Sequence, residues 1–109
     1  MDISLKWIGW NQEDGSDKIW GVAWTGADIS RLRYENTVYV FWGARGKTLQ
    51  LKKHQWDRSL LNLIDQKNRK GYVHINDAEL ATAWPEFGDM LRERLAWHVL
   101  ADSSYDETD

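Results

Sequence analysis

The chain has 109 residues and a formal net charge of −3, and this length fits one domain. It contains no cysteine, which excludes a disulfide framework and a thiolate metal site. Residues 1–20 lack a basic start followed by an apolar run, and the longest apolar stretch, residues 38–44, is far shorter than the roughly 20 residues that span a bilayer. These features predict a cytoplasmic protein with neither a signal peptide nor a membrane segment.

The first predicted elements are strands. A short apolar stretch at residues 6–10 predicts an edge strand, and a polar segment with a glycine at residues 11–17 predicts a turn. Lys18–Thr25 alternates between two faces, with Lys18 and Trp20 on the same one, so we expect a second strand there.

A hairpin is predicted in the middle of the chain, after a polar segment at residues 26–36 that fits either a loop or a connecting half-strand. Residues 37–42 are all β-branched or aromatic, which predicts the strongest strand. Two glycines in residues 43–47 indicate a turn, and residues 48–53 alternate again. Trp42 shares its strand face with two valines, so it is either a core residue or an exposed contact residue.

The hydrophobic period then changes, and residues 57–70 are predicted to form an amphipathic helix. Leu60 and Ile64 belong to its apolar stripe. Asp57 is placed to cap the N-terminus, and Gly71 is placed to end the helix in a left-handed conformation.

Two more helices are predicted in the last third of the chain. Asn76, with Glu79 three residues later, resembles a capping box, and Pro85 breaks the helix that they begin. Residues 86–101 carry an apolar stripe that packs either on the sheet or against another chain. Residues 102–109 are acidic and are predicted to be a disordered tail.

These elements predict an α+β fold, in which a small antiparallel sheet has one helix packed across it and a C-terminal helical extension. We expect a single domain over residues 1–101. The three histidines are far apart in the sequence, which does not favour a metal site. No nucleophile elbow, phosphate-binding loop or dinucleotide fingerprint occurs, so we expect a non-enzymatic protein without a cofactor.

The charges are divided unevenly along the chain. Residues 1–30 carry two basic and five acidic side chains, residues 31–71 carry ten basic and three acidic ones, and residues 72–109 carry two and nine. A basic block within an acidic chain indicates either a surface for phosphates or internal pairing with the acidic last third.

Three sequence blocks resemble the WGR domain. They are Lys18-Ile19-Trp20, the strand and turn ending in Trp42-Gly43-Ala44-Arg45-Gly46, and the helix ending in Asn68-Arg69-Lys70-Gly71-Tyr72. The resemblance covers residues 18–72. It implies a small antiparallel sheet with one helix across it, as in the nucleic-acid-associated WGR domains of poly(ADP-ribose) polymerases and of bacterial regulators.

In WGR domains, the Trp and the Arg of the naming motif lie against the nucleic acid near a strand end. The resemblance therefore implies that Trp42 stacks on the ligand or contacts a sugar. The family has Arg directly after Trp-Gly, whereas this chain has Ala44 at that position and Arg45 one residue later. A shift of one residue within a strand moves a side chain to the other face.

The sequence thus predicts an accessory module that binds nucleic acid, with DNA ends or single strands as the expected ligands. Cationic side chains beside aromatic rings suit such ligands. The alternative is a protein-interaction adapter or inhibitor that uses an exposed Trp and the acidic C-terminal helices to contact a protein partner. The predicted nucleic-acid-binding residues are Trp42, Arg45, Lys47, Lys52, Lys53, Arg69 and Lys70.

Overall fold

The computed structural model describes residues 3–25 and 37–108, with side chains for residues 3–24 and 37–98. Residues 26–36, which are predicted to be either a loop or a connecting half-strand, lie outside the described residues. The α+β class is confirmed, because the described residues form one antiparallel sheet together with three α-helices.

Five strands form the sheet, in the order β4-β3-β2-β1-β5. The edge strand predicted at residues 6–10 is longer than expected and covers Ile3–Asn11. Part of it has a neighbouring strand on both sides and is therefore not at the edge of the sheet. Its residues Gly9 and Trp10 pair with β5 as well as with β2, because the chain returns to this strand after the first helix. The strands are β1 (Ile3–Asn11), β2 (Lys18–Thr25), β3 (Thr37–Ala44), β4 (Gln50–Gln55) and β5 (Val73–His74).

The helices are α1 (Arg58–Arg69), α2 (Asp77–Ala83) and α3 (Phe87–Thr108). Both predicted signals for α1 are confirmed: the Asp57 carboxylate accepts a hydrogen bond from the Leu60 N–H at 3.0 Å, and Gly71 has a φ of 106°. Among the described helices, none is both long and apolar enough to cross a bilayer.

Helix α3 extends beyond its predicted end. We expected a disordered tail at residues 102–109, whereas α3 continues through Thr108. Residues 102–108 contain neither Gly nor Pro, so each residue added to the existing helix extends its hydrogen-bond ladder without a breaker.

The strand alternation divides the core into two faces. On the α1 face, Trp20, Val22, Val38 and Val40 pack with Leu60 of α1. On the opposite face, which we call the α3 face, α2 and α3 cover the sheet. The buried residues on that face include Ile19, Phe41, Leu80, Leu91 and Leu95. The extension therefore packs on its own sheet, and the sheet has helices on both sides.

The capping box of α2 is confirmed. The Asn76 side chain accepts from the Glu79 N–H at 2.8 Å, and the Glu79 carboxylate accepts from the Asn76 N–H at 3.1 Å.

We expect Asn76→Ala to lower the free energy of unfolding by about 1 kcal/mol, measured by urea denaturation, because a backbone donor loses its partner. Asn62→Ala, at an exposed position within α1, is the control. An equal effect of both substitutions would contradict the role of the cap.

Candidate functional site

A groove of about 490 Å³ opens on the α1 face, between α1 and strands β2, β3 and β4. Three of its lining side chains are lysines, and three others are large aromatic rings, those of Trp20, Trp42 and Tyr72. No carboxylate lines it among the described residues. We call this site the basic groove and define it by Lys18, Trp42, Lys52, His54, Lys67 and Tyr72.

The strand register brings the sheet residues of the groove together. Trp42 of β3 pairs with Trp20 of β2, two residues after Lys18, so these side chains lie on one face. On β4, Lys52 pairs with Val40 of β3 and therefore also points to the α1 face. Three neighbouring strands thus contribute to the same wall.

Helix α1 provides the opposite wall. Leu63 and Lys67 are four residues apart on α1, so they lie on the same side of the helix, and both line the groove. Tyr72 follows the glycine that ends α1, and its N–H donates to the Lys67 carbonyl at 3.1 Å. The left-handed turn at the helix end therefore holds the Tyr72 ring beside Lys67.

Lys67 is a half-buried cation surrounded by aromatic rings. Its Nζ lies 5.7 Å from the centroid of the Tyr72 ring and 5.9 Å from that of Trp20, distances at which an ammonium is attracted to a ring face. Burial lowers the pKa of Lys67, and the positive charges of Lys70 and Lys18 lower it further. Burial also raises the pKa of Tyr72. An anion in the groove would compensate the unfavourable environment of the Lys67 charge.

Trp42, Lys18 and Lys52 are groove side chains that are at least partly accessible to solvent and lack polar partners among the described residues. Trp42 is half-buried, and its side chain makes no hydrogen bond, ring contact or cation–π contact with any described residue. Lys18 and Lys52 are exposed, and within the described part of the chain neither forms an ion pair. Trp42 packs partly on the core of the α1 face, so the two interpretations of this residue are compatible.

Arg45 lies away from the groove. Its Nε donates to Asp17 at 2.9 Å, and its Nη1 donates to the Ala83 carbonyl at 2.7 Å. The guanidinium carbon lies 5.4 Å from the centroid of the Trp10 ring. Arg45 Nη2 also lies 2.9 Å from the Asp17 carboxylate. Arg45 therefore joins the β1–β2 connection to the end of α2 on the α3 face, and each of its three guanidinium nitrogens has a partner.

The Asp17–Arg45 pair has a pH dependence that can be measured. Hydrogen bonds from Arg45, and then from Trp10, lower the pKa of Asp17, while the same contact raises the pKa of Arg45. A lowered carboxylate pKa stabilises the fold above the unfolded value of about 4, and this stabilisation is lost as the pH falls through the folded value.

We therefore expect Asp17→Asn to lower the melting temperature at pH 7. The difference from the unchanged protein should shrink steadily below about pH 4, as followed by circular dichroism. Asp14→Asn, in the exposed turn of the same connection, is the matched control, because Asn tolerates its positive φ of 51°. A difference for Asp17→Asn that is independent of pH would contradict this assignment.

The predicted hairpin residues separate in the structure. Trp42 and Lys52 lie in the groove. Lys53 pairs with Tyr39, so it belongs to the α3 face of the sheet. Lys47 is exposed in the β3–β4 turn and does not line the groove.

The predicted residues at the end of α1 also differ from each other. Arg69 Nη2 forms an exposed ion pair with Asp65 at 2.7 Å, one turn earlier on the helix. Lys70 is exposed at the C-cap, and its charge reaches the groove through its effect on the pKa of Lys67. Neither of these two residues lines the groove.

Four groove residues were not among the predicted site residues: Lys18, His54, Lys67 and Tyr72. A signal for Lys18 was present, because it shares its strand face with Trp20. The positions of Lys67 and Tyr72 depend on how α1 crosses the sheet. That crossing is a tertiary feature that no spacing along the chain reports.

Comparisons of the chain with family models, curated proteins and solved structures found no match. The resemblance to the WGR domain is therefore carried by the motifs alone and stays a prediction. The structure does locate the one-residue difference in the motif. Ala44 lines the groove, while the guanidinium of Arg45 binds Asp17 and the Ala83 carbonyl.

A second cavity, of about 500 Å³, lies on the α3 face between β1 and helices α2 and α3. Its described lining is mainly apolar, with Asp77 and Arg92 as the charged residues, so it carries no excess of positive charge. The described residues contain no cluster of three His, Asp or Glu side chains that could hold a metal ion. Of these two cavities, the basic groove is the one whose described lining has an excess of positive charge.

Proposed function

We propose that the protein is a non-enzymatic accessory module that binds nucleic acid through the basic groove. The observation that supports this most is one groove in which three lysines and the half-buried Trp42 ring meet without a described carboxylate. Lysines bind phosphates, and aromatic rings stack on bases. DNA is the expected nucleic acid and the cytoplasm the expected location, and the hairpin with its following helix is proposed to be of WGR type.

The electrostatics of the groove favour a polyanion over a neutral ligand. Lys18, Lys52 and Lys67 come from three different elements, and Lys18 is close enough to lower the pKa of Lys67. Keeping these like charges together is costly in the free protein. A chain of phosphates relieves this repulsion and also releases its own counterions.

The first test is a fluorescence-anisotropy titration of a labelled single-stranded 12-mer at 50 and 200 mM salt. Three phosphate contacts on a single strand predict that the affinity falls about 20-fold over this fourfold increase in salt. Absence of binding at the lower salt concentration, for single strands and duplexes alike, would overturn the proposal.

Lys52→Glu tests whether the groove itself makes the contacts. We expect this substitution to weaken binding at every sequence and to reduce the salt slope by about one. Lys47→Glu makes the same change of charge in the β3–β4 turn, outside the groove, and should have a smaller effect. Equal losses for both variants would mean that the diffuse basic field, rather than the groove, attracts the ligand.

A second candidate function is a protein-interaction adapter, and one observation favours it. Trp97 on α3 is 66 % exposed, and exposed Trp residues are frequent binding hot spots. We expect Trp97→Ala to abolish a stoichiometric complex, measured by sedimentation velocity with a purified partner. An unchanged complex would exclude Trp97 as the contact.

A further inference from the structure

We infer that the basic groove takes up an unstacked base, so that its ligands are single strands, loops and frayed ends rather than continuous duplex. This inference rests on the proposed function and specifies the substrate class of the same site.

The concave shape of the groove favours a base that has left the stack. A concavity of about 490 Å³ lies within the range of pockets that enclose small molecules and cofactors. A double helix keeps its bases stacked inside and presents only backbone and groove edges, and it cannot fill such a pocket. A base that has left the stack can enter it.

The chemistry of the groove walls also favours a base. Val40 and Leu63 add apolar surface beside the Trp42 ring, and apolar and aromatic surfaces together favour the faces of a base. The Tyr72 ring already has the Lys67 ammonium near it. Trp42 is therefore the ring on which we expect the base to stack, and Lys67 is the cation expected beside the adjoining phosphate.

Two small residues in the lining also leave room for a base. Gly43 and Ala44 line the groove next to Trp42, so no long side chain at these positions narrows it. Arg45, the next residue, has its guanidinium bound to Asp17 and the Ala83 carbonyl instead. The side chains of residues 43–45 therefore leave the space beside Trp42 free.

The decisive experiment compares three labelled ligands of equal length with the full chain at one salt concentration: a thymidine strand, the same strand with abasic sites, and a duplex. We expect the thymidine strand to bind about 5–150-fold more tightly than the abasic strand, as one stacked base allows, and more tightly than the duplex. Equal binding of the abasic and thymidine strands, or tighter binding of the duplex, would overturn the inference while leaving nucleic-acid binding intact. Absence of binding by all three would overturn both proposals.

A variant without any change of charge provides an independent test. Ala44→Leu adds bulk at an exposed position in the groove and should weaken binding of the thymidine strand at least fivefold, with little change for the abasic strand. Ala78→Leu, at an exposed position on α2, is the control and should leave binding of both strands unchanged. Unchanged thymidine binding by Ala44→Leu would contradict base uptake.

Discussion

Replacing Leu95 with Ala is expected to lower the free energy of unfolding by about 2–5 kcal/mol. Leu95 is fully buried, and it belongs to the cluster in which Phe41 of the sheet packs with Phe87 and Leu91 of α3. Removing three carbons there loses their transfer from water and leaves a cavity. Urea denaturation followed by circular dichroism measures the change.

Trp97→Ala is the matched control on the same helix. Trp97 lies two residues after Leu95 but is 66 % exposed, so its loss should change the free energy of unfolding by less than about 0.5 kcal/mol. If Leu95→Ala also has almost no effect, α3 does not pack on its own sheet. The apolar stripe of α3 would then be available to another chain, which was the alternative open from the sequence.

Replacing Trp42 with Ala is expected to weaken binding of a single-stranded oligonucleotide by about 5–150-fold, because stacking of one base contributes about 1–3 kcal/mol. The salt slope should stay unchanged, since no charge is removed. This combination distinguishes Trp42→Ala from Lys52→Glu, for which the slope falls. Anisotropy titrations at several salt concentrations measure both quantities.

Trp42 also packs partly on the core of the α1 face, so its loss affects stability as well. Trp42→Leu keeps apolar volume while removing the aromatic ring, and its binding should fall as far as that of Trp42→Ala. Trp97→Ala, which removes an exposed ring on the other face, should bind normally. Normal binding by a folded Trp42→Leu protein would mean that Trp42 serves the core alone.

Most of the fold was predictable because its signals are local. The alternation in Lys18–Thr25 gave the bounds of β2 without error. The Asp57 cap and the Asn76 capping box marked the starts of α1 and α2. The two caps are hydrogen bonds between residues three apart, the alternation is a pattern within eight consecutive residues, and tertiary packing did not override these signals.

The pairing of β1 and the placement of α3 were less predictable. Whether a strand lies at the edge depends on its neighbours, and the second neighbour of β1, besides β2, is the short β5, which comes much later in the chain. The apolar stripe of α3 indicated that a surface is buried, but not which surface covers it. Such information is carried by contacts between distant residues.

The candidate site was predicted only in part. Choosing residues by their place on one hairpin identified Trp42 and Lys52 but also included Arg45, Lys47 and Lys53. Neighbouring residues on a strand point to opposite faces, so the hairpin divides its basic residues between both sides of the sheet.

Three of the four residues added by the structure, Lys18, Lys67 and Tyr72, come from outside the hairpin, whereas His54 lies on β4. Lys18 enters through β2, and Lys67 enters through α1. The groove exists only where these elements cross the hairpin. Its composition therefore follows from the tertiary fold.

Binding of nucleic acid in the basic groove is tested most directly by a nuclear magnetic resonance titration of the ¹⁵N-labelled protein with a thymidine 12-mer at low salt. The chain has eight tryptophans, so each indole N–H reports on one location. If the strand binds in the basic groove, we expect saturable shifts of the Trp42 indole and of the Lys18 and Lys52 amides, with the Trp97 indole unchanged. Shifts at Trp97 without shifts in the groove, or no shifts at all, would contradict binding in the groove.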